Sequence, residues 1–431
     1  MKLIVNGGKK LAGTLKCQGS KNCGLSLIGA ASILSSQCNI SNIPNVTDLL
    51  NLLSCIEYLG GDTAYDVETN SAVVHLEQIK TSEIPIKYCM EGRGVLYLLP
   101  IVLKLKGEVV FYTAGGCDLG RRAIDIHLDG LASLGCRITE AGNKVTIECD
   151  LLRGGYYRLP FQSNMATANL LAAAALAEGE TVLENICLNP EVIGRISFLK
   201  AAGADISLIG ANKICVVGGK TLHLTSFKNI PDRVVLGTLT ALSALYEGDL
   251  QVEGGNFSDI QKEIDVLSSV GINKHEEKNK DSYFTLSKYN PKLPFIIETG
   301  PYPEFCTDIQ PVFSILGVNF VDKTIIVEKM FDDRFNYLGE LEKFGVVSHI
   351  SNSEFLLPSG RHAKKAIIEG RGEYYGAKVR APDLRGGAAL LLMALITKGK
   401  SEIEKYEYID RGYDALIEQL IDCGADISLC S

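Results

Sequence analysis

Six segments of this 431-residue chain end an amphipathic run on glycine and then enter a β-rich stretch. The glycines are Gly60, Gly135, Gly203, Gly271, Gly345 and Gly424, at intervals of 75, 68, 68, 74 and 79 residues. Typical copies are Ile56-Glu57-Tyr58-Leu59-Gly60-Gly61-Asp62 and Leu199-Lys200-Ala201-Ala202-Gly203-Ala204-Asp205-Ile206. Glycine after the last apolar turn stops a helix because that position takes a left-handed backbone. A recurring spacing of this kind marks a chain built from copies of one supersecondary unit. Each unit also holds an earlier, more apolar helix: 170–178 before Gly179, 236–247 before Gly248 and 390–398 before Gly399. The unit therefore reads β-α-β-α-β-β, its first helix buried and its second facing solvent on one side. Three units per domain predict an α/β chain of two domains, α+β in detail.

The length agrees, since 431 residues exceed one ordinary core. With 46% hydrophobic residues a substantial core can be buried, and a net charge of −8 argues against nucleic acid or an anionic membrane as partner. The apolar stretch 170–177 is too short to span a bilayer. The opening Met1-Lys2-Leu3-Ile4-Val5-Asn6-Gly7 reads as a strand and turn, not a signal peptide. Thirteen cysteines, an odd number scattered without CxxC pairs, point away from a disulfide framework or zinc site and toward a reducing cytoplasm.

On a repetitive scaffold, sites sit in loops. The most distinctive loop is Ala114-Gly115-Gly116-Cys117-Asp118-Leu119-Gly120-Arg121-Arg122, where arginines beside a thiol favour the thiolate. A bending loop with such a cysteine suits covalent or proton-transfer chemistry on a small anion. The same residues also fit an ordinary glycine turn holding a small core cysteine. Further charge stands in Gly19-Ser20-Lys21-Asn22, Met90-Glu91-Gly92-Arg93, Cys306-Thr307-Asp308, Phe331-Asp332-Asp333-Arg334, Asp383-Leu384-Arg385 and Asp410-Arg411-Gly412-Tyr413. If Lys21, Arg93, Arg122, Arg334, Arg385 and Arg411 converge, they suit an anion carrying phosphate and carboxylate. Singly, each arginine fits a solvated surface ion pair equally well.

Taken together, Gly19-Ser20-Lys21-Asn22, Gly115-Gly116-Cys117 with Arg122, Asp125-Ile126-His127, Thr307-Asp308, Asp383-Leu384-Arg385 and Asp410-Arg411-Gly412-Tyr413 resemble the signature set of the UDP-N-acetylglucosamine 1-carboxyvinyltransferase family of enolpyruvyl transferases. The similarity runs from Lys2 to about Ser428. It implies a two-domain inside-out α/β barrel, with residues 1–20 and 231–431 in one domain, 21–230 in the other, and the active site in the cleft between them. It implies small-molecule substrates, phosphoenolpyruvate and a nucleotide-sugar, with no cofactor or metal, in a monomer or weak homo-oligomer. Phosphoenolpyruvate would be held by Lys21, Arg93, Arg122, Arg334, Arg385 and Arg411. Cys117 would protonate its C3 or add to C2, and Asp308 would take the proton of the attacking sugar hydroxyl, with Lys21 and Arg411 also catalytic. The nucleotide-sugar would meet Asn22, Arg93, Arg122, Asp125, His127, Ser163, Asp308 and Met330. The loop 113–122 would close over the ligands, and thiol alkylators and fosfomycin would label Cys117.

Several positions depart from that family's pattern. Phe161-Gln162-Ser163-Asn164-Met165 stands where the family has a lysine and then Ser-Val-Gly, Ala123 replaces a proline, and Val235 replaces a glutamate. All lie toward the nucleotide end of the acceptor. Two alternatives therefore stay open: a paralogue acting on another nucleotide or nucleotide-sugar, such as a uridine nucleotide, and a non-catalytic binding relative.

Overall fold

A computed structural model describes residues 2–113, 124–276, 282–286, 290–357 and 360–430. Chain contacts divide it into two units, between Gln18 and Gly19 and again between Ile230 and Pro231. Each unit has its own hydrophobic core, built around three apolar helices. In one unit these are Lys21–Ala31, Leu99–Lys106 and Asn164–Leu176. In the other they are Arg233–Leu245, Gln310–Phe320 and Leu384–Ile396. From Ala388 to Ala394 the last of these is fully buried, because no polar side chain interrupts its run of Ala, Leu and Met. The second helix of each copy, such as Thr47–Leu59 or Pro190–Ala201, buries one face only.

All six repeat glycines take positive φ, between 86° and 111°. The apolar helices end differently from the expectation. Asn164–Leu176 and Leu384–Ile396 stop at Ala177 and Thr397, whose backbones are already extended. Gly179 and Gly399 come two residues later, at φ 94° and 101°, and turn the chain into its next strand. Those glycines thus mark strand entry.

Among the described residues the strands form six small sheets. A regular copy places Tyr156–Arg158 parallel to Glu180–Glu184, then Lys213–Val217 and Asp205–Gly210 antiparallel. Another follows the same order with Phe295–Glu298, Lys323–Glu328, His362–Glu369 and Val347–Leu356. One sheet has three strands, with an isolated bridge from Glu83 to Val110 on its outer side.

Three sheets break sequence order. Gly13–Lys16 runs parallel to Leu250–Glu253 in one unit, although the helix that follows it lies in the other. Ser226–Lys228 likewise pairs with Cys38–Ser41 before the chain leaves for Arg233–Leu245. At both crossings the opening strand therefore stays behind. The sixth sheet is completed by Lys2–Gly7, inserted between Gly399–Glu404 and Ile427–Cys430. The sixth copy is thus assembled from both ends of the chain.

Candidate active site

Two of the expected cations, Lys21 and Arg385, stand in the first turns of buried apolar helices, just after the caps Ser20 and Asp383. Lys21 is the first residue of Lys21–Ala31, whose cap Ser20 accepts from the Cys23 amide at 3.2 Å. Its Nζ lies 3.0 Å from Asp48 Oδ2, in the neighbouring helix Thr47–Leu59, with both side chains mostly buried. Asn22, one residue on, is half-buried. Arg93 opens the 3-10 turn Arg93–Leu98 that leads into Leu99–Lys106.

Asp125 is exposed at the start of the helix Asp125–Ala132, and His127 is buried in that helix. His127 Nδ1 sits 3.1 Å from Asn169 Nδ2. Burial, aided by the Arg93 charge, pulls the imidazole down to about 3, so it is neutral at ordinary pH. Ser163 caps Asn164–Leu176 by accepting from the Ala166 amide. Phe161 and Met165 pack their apolar side chains against the core beside it.

In the other unit Asp308 is the centre of a cluster. Arg334 Nη2 reaches Asp308 Oδ1 at 2.7 Å, and Arg385 Nε lies 3.4 Å from Asp308 Oδ2. Both arginines are almost wholly buried. Burial opposes their charge, but Asp308 and neighbouring acids outweigh it for Arg334, and Tyr413 and Asp308 do so for Arg385; both end above the ordinary range. Arg334 also donates from Nε and Nη2 to the Thr307 carbonyl at 3.2 and 3.0 Å. Arg385 lies in the first turn of Leu384–Ile396, where Asp383 accepts from the Arg385 and Gly386 amides at 2.8 and 3.0 Å. Its guanidinium lies 5.4 Å from the Tyr413 ring centroid, and the Tyr413 hydroxyl is 2.9 Å from Thr238 Oγ1.

Arg411 is half-buried two residues before Tyr413, where Gln18 ties down the Gly412 carbonyl and the Asp414 amide. Met330 is half-buried too, its amide donating to Glu328. The Asp308 turn is pressed close to a buried helix. A Cβ on Gly237 would stand 2.6 Å from Ile309 Cδ1, so only glycine fits there.

The structure thus brings Asp308, Arg334 and Arg385 into direct contact and sets His127 within reach of the Arg93 charge. Cys117, Arg122 and Ala123 lie outside the described residues. Sequence reasoning missed the carboxylates that hold these groups: Asp48, Glu263 and Glu328. Glu263 accepts from the Cys306 amide at 2.7 Å. It also missed the helix caps, although Ser or Asp just before an apolar run is a readable signal. Among the described residues no group of three or more His, Cys, Asp or Glu is placed to hold a metal ion. Nor is any helix among them long and apolar enough to cross a membrane.

Comparison with known proteins agrees with this architecture. The family model for EPSP synthase (3-phosphoshikimate 1-carboxyvinyltransferase) matches residues 5–420. The chain is 34% identical over 428 residues to UDP-N-acetylglucosamine 1-carboxyvinyltransferase 2 of Caldanaerobacter subterraneus subsp. tengcongensis, covering 99% of each chain. It is 33% identical over 430 residues to the protein of that name from Listeria monocytogenes serovar 1/2a, covering 100% of this chain and 98% of the relative. In fold it is similar to the enolpyruvyl transferase NikO from Streptomyces tendae, with a TM-score of 0.87 at 23% identity over 99% of this chain and 98% of that one. EPSP synthase from Acinetobacter baumannii follows, with a TM-score of 0.74 at 19% identity over the whole of both chains. With six helix-and-sheet copies and full-length kinship to named carboxyvinyltransferases, this chain belongs to the EPSP synthase family of enolpyruvyl transferases, alongside the UDP-N-acetylglucosamine 1-carboxyvinyltransferases.

Proposed function

We propose that the protein transfers the enolpyruvyl group of phosphoenolpyruvate to the 3-hydroxyl of UDP-N-acetylglucosamine, releasing inorganic phosphate, the step that commits the sugar to peptidoglycan precursors. The observation that carries the reading is a carboxylate, Asp308, held between two buried guanidinium groups. Oriented in this way, Asp308 takes the proton of the sugar 3-hydroxyl while the hydroxyl oxygen attacks C2 of phosphoenolpyruvate. A proton is added at C3, and Cys117 is the residue assigned to deliver it. The tetrahedral intermediate then expels phosphate, and loss of a C3 proton restores the double bond as an enolpyruvyl ether. Lys21, Arg93, Arg122, Arg334, Arg385 and Arg411 offset the phosphate and carboxylate charges, and the guanidiniums suit bidentate contact with either. Asn22, Asp125, His127, Ser163 and Met330 serve the acceptor, His127 as a neutral buried imidazole steadying its helix.

Phosphate release from phosphoenolpyruvate, measured across a panel of acceptors, tests the proposal. Turnover with UDP-N-acetylglucosamine is the expected outcome, and Lys21→Ala should lower kcat/KM for phosphoenolpyruvate by about 100-fold, the effect of removing one charge-assisted contact of about 3 kcal/mol. No release with any acceptor would refute it. A second reading, transfer to another nucleotide or nucleotide-sugar such as a uridine nucleotide, is favoured by one observation: at the start of Asn164–Leu176 the half-buried Phe161 and Met165 pack apolar side chains on the core. Turnover confined to a uridine nucleotide would select it.

A further inference from the structure

Glu328 ends the strand Lys323–Glu328 with its side chain fully buried. Burial pushes its carboxyl up, against the opposing pull of the Arg334 charge. A buried carboxylate costs several kcal/mol unless hydrogen bonds and a nearby charge compensate it. An apolar residue would serve a strand end at least as well. The bonds Glu328 makes give it a different purpose. Its Oε2 accepts from the Thr307 hydroxyl at 3.0 Å, and its Oε1 accepts from the Met330 and Phe331 amides at 2.8 and 3.1 Å. Thr307 precedes Asp308, and its carbonyl receives both bonds from Arg334. Arg334 in turn closes on Asp308 at 2.7 Å. One carboxylate therefore joins the turn that bears the base to the turn that bears a substrate-binding arginine, and the ring of contacts closes on itself.

We propose that Glu328 is a positioning residue for enolpyruvyl transfer: its buried carboxylate holds the Thr307-Asp308 turn and the 330–334 turn in one fixed geometry. This rests on the transferase reading above. A displacement of about 1 Å between reacting groups can cost about 100-fold in rate, so such a link acts on kcat without touching substrate.

The test uses the full chain with Glu328→Gln, Thr307→Val and the double variant. Glutamine keeps the shape and still accepts from the two amides, but it must donate to Thr307 and carries no charge toward Arg334. Glu328→Gln should lower kcat about 10-fold, with KM for the acceptor within about twofold and kcat normalised to the folded fraction seen by circular dichroism. Thr307→Val should reproduce most of that loss. The double variant should be no slower than Glu328→Gln, because both act through one contact. An unchanged kcat, a loss that disappears on normalisation, or fully additive effects would each overturn the proposal. If the wild type turns over no acceptor, it is the transferase reading that has failed. Glu328 is then read by phosphoenolpyruvate titration calorimetry: weakening of about threefold or more in Glu328→Gln supports the link to Arg334, and an unchanged affinity refutes it.

Discussion

His127 shows how strongly burial sets the chemistry of a single side chain. Its imidazole is lowered to about 3 by desolvation and, secondarily, by Arg93. The unfolded chain, with an ordinary value near 6.5, therefore binds a proton that the folded chain refuses. Its contribution to stability is complete above about pH 6.5 and is lost as the pH falls toward 3. At pH 5 that loss is about 2 kcal/mol. Urea unfolding at pH 7 and pH 5 should show the wild type losing about that much more than His127→Gln; equal losses would clear His127 of the effect. At this scale the cations were readable, because lysine and arginine stand out among glycines and small residues. Apart from Asp308, which meets Arg334 and Arg385, their partners were not. Asp48 lies 27 positions from Lys21, and Glu263 lies 43 from the Cys306 amide it accepts from. Nothing in local spacing marks an acid whose role depends on a contact made by folding.

Among the elements, the repeat glycines carry the clearest signal. Gly203 has φ 98° and open space where a Cβ would stand, so Gly203→Ala tests backbone strain free of any clash. The expected cost is about 1–2 kcal/mol, read as a lower thermal midpoint. Gly203→Asn should cost less, since asparagine tolerates the left-handed region better. Alanine at no cost would mean that the helix stop is set by packing alone. The apolar helices were legible as buried from composition, yet their C-terminal ends were placed two residues too late. Tertiary contacts decide where such a helix yields to the next strand, since every turn of it is equally apolar.

For the molecule as a whole, two separate cores predict separable responses. Leu3 is fully buried in the sheet that Lys2–Gly7 completes. Leu3→Asp places an unpaired charge there and should destabilise that unit by at least about 3 kcal/mol. Hydrogen exchange should show lost protection in residues 231–430, with amides of 19–113 and 124–230 largely unchanged; equal loss in both would contradict independent cores. The number of copies, the alternation of helix and strand and the burial of each first helix were determined by sequence alone, because helix stops and apolar periodicity are local properties of the chain. Which strand completes which sheet was decided only by tertiary structure. Gly13–Lys16 and Ser226–Lys228 each pair with strands more than 180 residues away, and Lys2–Gly7 pairs with strands near the other end of the chain. Strand pairing is satisfied through space, and a backbone hydrogen bond carries no record of sequence distance.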